Sequence, residues 1–409
     1  MKAIAGNSYL QKEEDNVFLD LIPLNEILTK NRTPILVLLE NRIRENIKRF
    51  LDVFSSIFEN FNCLYSFKAN YLPEICKIIK SENIGAEVVG LLELKLALNL
   101  KFPSNKIIVG GPYLPQELIK MCIENKIKEI IIYNLNDIRK IDSIAKKHNL
   151  IQNICIRINS GKYNSNLGIV FNDQNLAILK KIIKECDNIK ITTVLSHYST
   201  QMNNIALFKR NVEIIAKNLN FLSKNGINIK NLNLGGGFPE ATVMNQKQLK
   251  KIALGIKSTL MEHKIHFDHI YFEPGRYFLG DAGLFITKII NVTDNRFVFL
   301  NIGNHICPKF AKCSLRFYNA SKISLSHNEP TSFLGIVPTD QDVLAKNYFF
   351  TKDIKEGDIV IVTNIGAYCL TFSNRFPYTL PIILLVNGKN YREIFNPIFD
   401  KDFSINSLL

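Results

Sequence analysis

Along the first two-thirds of the chain, short runs of branched apolar residues alternate with longer amphipathic stretches. "NCLYSF" (62–67), "IGAEVV" (84–89), "KIIVG" (106–110), "EIIIY" (129–133), "NICIRI" (153–158), "TTVLSH" (192–197), "NLNLG" (231–235) and "IYFEPG" (270–275) read as strands. Most are apolar throughout rather than alternating, the pattern of parallel strands covered on both faces. Between them, stretches such as "LPEICKIIKS", "LLELKLALNL", "LPQELIKMCIE" and "QKQLKKIALGIKSTLMEH" place apolar residues at i, i+3 and i+4, the helical period. Eight strands with helices between them predict an α/β fold, a (β/α)8 TIM barrel over residues 41–280. An open doubly wound sheet stays as the alternative, because periodicity does not reveal closure.

From about residue 281 the texture changes. "FITKIINVTDNRFVFLNIG", "NYFFTKDIKEGDIVIVTNIGAY" and "PIILLVNGKN" alternate strand patterns with turn residues and few helix signals, which predicts a C-terminal antiparallel β domain over 281–409. Residues 1–40 read as an N-terminal segment that contributes to this domain, through a strand around "TPILVLLE" (33–40).

Composition narrows the class only slightly. The length of 409 residues suits a barrel with a smaller companion domain. No apolar run reaches the roughly 18 residues that span a bilayer, and "MKAIAGNSYLQKEEDN" turns polar too early for a secretory leader, so cytoplasm is the expected compartment and no membrane partner is expected. Eight scattered cysteines form no CxxC pair and no metal-like spacing, so reduced, buried thiols and no metal are expected. The net charge of +14 is spread over helices rather than gathered with aromatics, which favours small anionic ligands over nucleic acid.

The chemically unusual residues fall where the strands end, the face on which a β/α barrel collects its functional groups. Lys68 follows the first strand and Glu87 lies in the second. His197 ends the sixth, Gly235-Gly236-Gly237 follows the seventh, and Glu273 and Arg276 end the eighth. Each has a plain reading: a snorkelling lysine, a satisfied histidine, a tight turn, a glutamate paired with Arg276. One ligand satisfies them together. Pyridoxal 5'-phosphate has an aldehyde that takes a lysine, a phosphate that takes glycine-rich backbone, and a ring that stacks on an imidazole. An acid near its ring nitrogen keeps that nitrogen protonated, and Glu273 is the candidate. Lys68 is then placed to form a Schiff base, with burial lowering its pKa toward reactivity.

The motifs "YSFKAN", "GAEVVGLLEL", "LSHYSTQ", "LNLGGGFP", "FEPGRYFLGDAG" and "NIGAY" run in order across nearly the whole chain, which resembles the fold-type III pyridoxal phosphate decarboxylases, the family of diaminopimelate, ornithine and arginine decarboxylases. The resemblance implies the alanine racemase-like architecture of group IV decarboxylases and the chemistry of an amino-acid carboxy-lyase in amino-acid metabolism, polyamine or specialised biosynthesis. It implies that Lys68 carries the cofactor, His197 stacks on its ring and Glu273 holds the ring nitrogen. Glu87, Thr200, Gly235, Gly236, Gly237, Gly275, Arg276 and Tyr368 complete the cofactor set. It also implies a homodimer with shared active sites.

The chain departs from the family pattern on the substrate side. "FLGIVPTDQDVLA" (333–345) has Pro338 where the family cysteine protonates the carbanion, leaving Asp340 and Asp342 as candidates for a distal amine, with a turn-capping Asp342 as the alternative. Cys307 stands where an arginine binds the substrate carboxylate, and "NSNLG" replaces Lys-Phe-Gly near 166–168. Cys307, Cys313 and Cys369 flank residues 333–345 in sequence, without a role assigned to any. The expected reaction is decarboxylation of a diamino acid or of a modified or carrier-linked amino acid. A pyridoxal phosphate-dependent racemase or epimerase, a non-catalytic pyridoxal phosphate-binding paralogue and a cofactor-free Schiff-base aldolase are the alternatives.

Overall fold

A computed structural model describes residues 1–162, 165–308 and 314–399. They form two compact units. One holds the chain from Arg49 to Pro239 and from Met244 to Gly275; the other holds residues 1–48, 240–243 and the chain from Arg276 on.

The first unit is a closed barrel of eight parallel strands, Phe61–Ser66, Gly85–Val88, Ile107–Gly110, Glu129–Ile132, Gln152–Arg157, Ile189–Leu195, Asn231–Asn233 and His269–Phe272. The eighth strand pairs with the first, Phe272 opposite Cys63, which decides closure over the open sheet. Seven helices connect them, from Pro73–Ser81 to Gln246–Glu262, each turning an apolar stripe toward the strands. Inside, Leu64, Ile108, Ile131, Cys155, Leu195 and Tyr271 fill the barrel, so it is a packed core rather than a pore. Outside the closing seam, aromatic rings stack: Phe54 lies 4.4 Å from Phe50 and 4.5 Å from Phe272, centroid to centroid. Helix Gln246–Glu262 begins with a full capping box between Asn245 and Gln248.

The second unit contains a sheet built around Gly283–Val292, largely antiparallel as expected, with two parallel pairings. Ile35–Leu39 runs antiparallel to Gly283–Val292 but parallel to Ile382–Asn387, and Phe297–Leu300 runs parallel to His327–Leu334. Hairpins force antiparallel pairing, whereas strands brought together from distant sequence are free to run either way. Residues 2–23 form a separate four-stranded antiparallel meander that the sequence pattern did not announce. Its strands are short and polar on one face. A buried network holds the first turns of helix Glu40–Ser55: Arg42 donates to Asp281 Oδ2 (2.7 Å) and Asn46 to Asp281 Oδ1 (2.7 Å). Among the described residues no helix is long and apolar enough to cross a membrane.

Candidate active site

At the C-terminal end of the first barrel strand the chain makes a short 3-10 turn, Phe67–Ala69, with Lys68 at its centre. The hydroxyl of Tyr65 donates to the Asn70 carbonyl (2.8 Å), Asn70 Oδ1 accepts the Leu72 N–H (3.1 Å), and Pro73 opens the following helix. Proline suits that place, since the first helical N–H has no partner in any case. The Lys-Ala-Asn run is therefore a locked strand-to-helix turn that projects one amine.

That amine meets Glu87. Lys68 Nζ donates to Glu87 Oε1 and Oε2 at 3.1 and 2.9 Å. The parallel register sets Ser66 opposite Glu87, and the Ser66 hydroxyl donates to the same Oε2. Burial alone would raise the Glu87 carboxyl, but Lys68, Ser66 and Arg157 together hold it below its ordinary value. The Lys68 side chain itself is 43% exposed. Its partner there is a fixed carboxylate.

Asn233, ending the seventh strand, ties two further elements together. Its Nδ2 donates to Glu273 Oε1 (2.7 Å) and its Oδ1 accepts the Gly235 N–H (2.9 Å). The plain reading paired Glu273 with Arg276, the functional one with a cofactor ring nitrogen; the hydrogen bond it makes here is to Asn233. Burial, then Glu87, push the Glu273 carboxyl up to about 7, against Lys68, Asn233 and Arg157. The three glycines are required by close approach: a Cβ on Gly236 would stand 2.5 Å from the Glu273 carbonyl oxygen, and one on Gly237 2.4 Å from that of Ser199. A Cβ on Gly235 would press on His197 Nδ1 at 3.1 Å. His197 lies two residues past the sixth strand, partly open to solvent. Burial, with Arg157 and Lys68, lowers it to about 3, so its imidazole is neutral at working pH. Thr200 is exposed in the same loop, and Gly275 is buried after the eighth strand. Asn211 buttresses these loops from behind, donating to the carbonyls of Ser196 and Leu234 (both 3.0 Å).

Three of these residues escaped the sequence reading: Ser66, Asn233 and Arg157. Arg157 closes the fifth strand, donates to the Tyr133 hydroxyl (2.7 Å) and lies 4.8 Å over its ring, and its charge reaches Glu87, His197 and Glu273. The signal that singled out Lys68, a polar residue ending an apolar strand, was present in "NICIRI" and "LNLGGG" too.

Glu93 adds a titration. It is buried, accepts the Val89 N–H (2.6 Å), and burial raises it to about 7. A carboxyl raised in the folded state favours folding while protonated, and that contribution is lost as pH rises from about 4.5 through 7. Across that window Glu93 lowers the stability of the cofactor-free barrel by an amount of the order of 2–3 kcal/mol. Glu93→Gln removes that slope, which urea titrations at pH 5 and 7.5 measure; an unchanged slope means Glu93 ionises freely.

In the second unit, Arg276 is buried with its guanidinium 4.9 Å over the Tyr368 ring, and neither Nη1 nor Nη2 has a hydrogen-bond partner among the described residues. The "IGAY" turn is seated by contact: a Cβ on Gly366 would stand 2.0 Å from the Leu279 carbonyl oxygen. Asp340 is exposed beside a cavity of about 450 Å³ lined by Phe299, Leu334, Val337, Pro338 and Thr339. Asp342 is not available for a distal amine in the same way. It is buried, its Oδ2 accepting the Val337 N–H (2.8 Å) and its Oδ1 the Asn304 N–H (2.7 Å), the turn-capping alternative. Cys307 and Cys369 are both buried; Cys313 lies outside the described residues.

Residues 40–280 match the family described as pyridoxal-dependent decarboxylase, pyridoxal binding domain. The chain belongs to that family, and pyridoxal phosphate is its cofactor. It is similar to the diaminopimelate decarboxylase of Methanocaldococcus jannaschii, 25% identical over 91% of this chain and 90% of that one. It is also similar to the L-glutamyl-[BtrI acyl-carrier protein] decarboxylase of Niallia circulans, 25% identical over 80% and 83%. The crystal structure of the M. jannaschii diaminopimelate decarboxylase superposes with a TM-score of 0.86, at 23% identity, over 99% of this chain and 98% of that one. The residues of the barrel unit suit the cofactor: an amine on a fixed turn, a neutral imidazole, a buried carboxyl and bare glycine backbone.

Proposed function

We propose that the protein removes the carboxylate of an amino acid as CO2, with Lys68 as the amine that holds the cofactor's aldehyde. The observation that carries this is the Lys68 amine held at 2.9 Å by buried Glu87, in a chain of the pyridoxal-dependent decarboxylase family. Pyridoxal phosphate supplies the electron sink for the pair released with CO2. Glu273, anchored on Asn233, keeps the proton on the ring nitrogen, and its high affinity for a proton suits it to share one. His197 offers the ring an uncharged aromatic face. The backbone of Gly235, Gly236 and Gly237, with Thr200 and Gly275, is assigned to the phosphate side. For Arg276 and Tyr368 the support is internal to their own unit, two unused buried donors on an aromatic face, a set that fits an anion.

For the substrate we propose a diamino acid or an amino acid tethered to a carrier, with protonation by water or a non-cysteine acid, because Pro338 has no proton to give. The loss of the expected arginine at Cys307 favours a substrate whose far end is not a free carboxylate, and a carrier-linked relative is consistent with it. A homodimer is part of the proposal; sedimentation of the loaded protein tests it.

Mass spectrometry after incubation in D2O with diaminopimelate, other diamino acids and carrier-tethered glutamate tests the reaction. An amine with one deuterium at the former α-carbon supports decarboxylation. Deuterium at Cα with the carboxylate kept identifies a racemase or epimerase, and no change with any of them points to a non-catalytic paralogue. The two aspartates separate in a second experiment. Asp342→Ala frees two backbone N–H groups and costs about 1–3 kcal/mol of stability. Asp340→Ala changes stability by less than about 0.5 kcal/mol and raises KM, which denaturation and steady-state kinetics compare. The reverse pattern would exchange their roles.

A further inference from the structure

The hydrogen bond from Ser66 to Glu87 lies one step behind the amine and has no part in the reading given above. Ser66 is buried, its hydroxyl donates to Glu87 Oε2, and Lys68 Nζ donates to the same oxygen from the solvent side. Ser66 and Glu87 belong to barrel strands in fixed register, so the serine is held by the sheet, whereas the lysine amine stands at the end of four rotatable side-chain bonds. We propose that Ser66 is a positioning residue for Lys68, acting through Glu87: its hydroxyl locks the carboxylate in the rotamer that receives the lysine ammonium.

The physical reason is a competition for one carboxylate. Glu87 is surrounded by Arg157 from the fifth strand, with Tyr133 against it, by Glu93 from the following helix, and by Glu273 and His197 at the ends of the eighth and sixth strands. An unfixed Glu87 has Arg157 as a rival cation and two carboxyls repelling it. A hydroxyl bonded to Oε2 removes that freedom and stabilises the ionised form, the one that pairs with an ammonium. With the cofactor bound, a Lys68 amine freed by an incoming amino acid would take its proton from that amino acid's ammonium, and Glu87 would be the anion that holds the resulting lysine ammonium. No bond is made or broken by Ser66 itself. This rests on the reading of Lys68 as the cofactor lysine.

The test uses the cofactor-free protein and reads the lysine directly. Lys68 is acylated with acetic anhydride at fixed pH 8, and its rate is followed by peptide mass spectrometry. Ser66→Ala loosens the ion pair, exposes more neutral amine and speeds acylation by about threefold or more, half a pH unit in effect. Ser66→Thr keeps a hydroxyl on a strand-compatible side chain and restores the wild-type rate. Glu87→Gln also speeds acylation, and adding Ser66→Ala to it changes nothing further, since the serine acts through the carboxylate. A Ser66→Ala rate equal to wild type overturns the inference, as does an undiminished Ser66→Ala effect in the Glu87→Gln protein, which would mean simple packing. Borohydride reduction of the loaded wild-type protein is run alongside. A tag on Lys68 supports the reading beneath the inference. A tag on another lysine overturns that reading while the acylation cycle stays intact, whereas an altered cycle with the tag on Lys68 overturns the inference alone.

Discussion

Lys68→Ala is expected to abolish the borohydride-reducible chromophore of the loaded protein and to lower turnover by at least about a thousandfold. No neighbour can substitute for the amine. It stands on a three-residue turn fixed by Tyr65, Asn70 and Pro73, so a second lysine would have to reach the same point from a different element. The substitution also leaves Glu87 buried without the ammonium that does most to keep it ionised, so its carboxyl rises and the cofactor-free barrel loses some stability above neutral pH. The fold survives, because Lys68 itself is half exposed and packs into no core. Absorption spectra before and after reduction, with circular dichroism as the control, decide it. A full-strength reducible chromophore in the folded variant would remove Lys68 from its role.

Glu273→Gln is expected to keep the cofactor but to cut turnover by about a hundred- to ten-thousandfold. Glutamine preserves the volume and can still accept the Asn233 amide at 2.7 Å, so the glycine turn beyond it stays seated. What it loses is the ability to carry a negative charge beside a protonated ring nitrogen. In the cofactor-free protein Glu273 titrates near 7, pushed there by burial and by Glu87. Removing that carboxyl therefore also removes a contribution that weakens the barrel as pH rises toward 7, and Glu273→Gln is more stable than wild type at pH 7.5. The two readouts point in opposite directions, lower kcat and a higher denaturation midpoint. Near-normal turnover would take Glu273 out of the reaction, and a lower midpoint would show that its proton is not what burial costs.

The barrel was legible because its strands are continuous apolar runs separated by stretches of helical period, and both periods are properties of the chain alone. "EIIIY" and "NICIRI" can hardly be anything but buried strands. The unusual residue types at Lys68, His197, Glu273 and the glycine turn were also legible, since each departs from what a buried strand end tolerates. The four-stranded meander of residues 2–23 was not, because short strands with one polar face leave a weak alternation. The two parallel pairings in the second unit were hidden for a different reason: pairing between distant segments has no local signature.

Chain order alone thus determined the eight-strand repeat and which residue types stand at the strand ends. Only the tertiary structure decided the partners. Register across the first two strands set Ser66 and Lys68 on Glu87, and Asn233 rather than an arginine took Glu273. It also turned Asp342 inward onto two backbone amides. The reason is physical: a residue's identity states which interactions it needs, while burial and partnership depend on neighbours that folding brings from elsewhere in the chain.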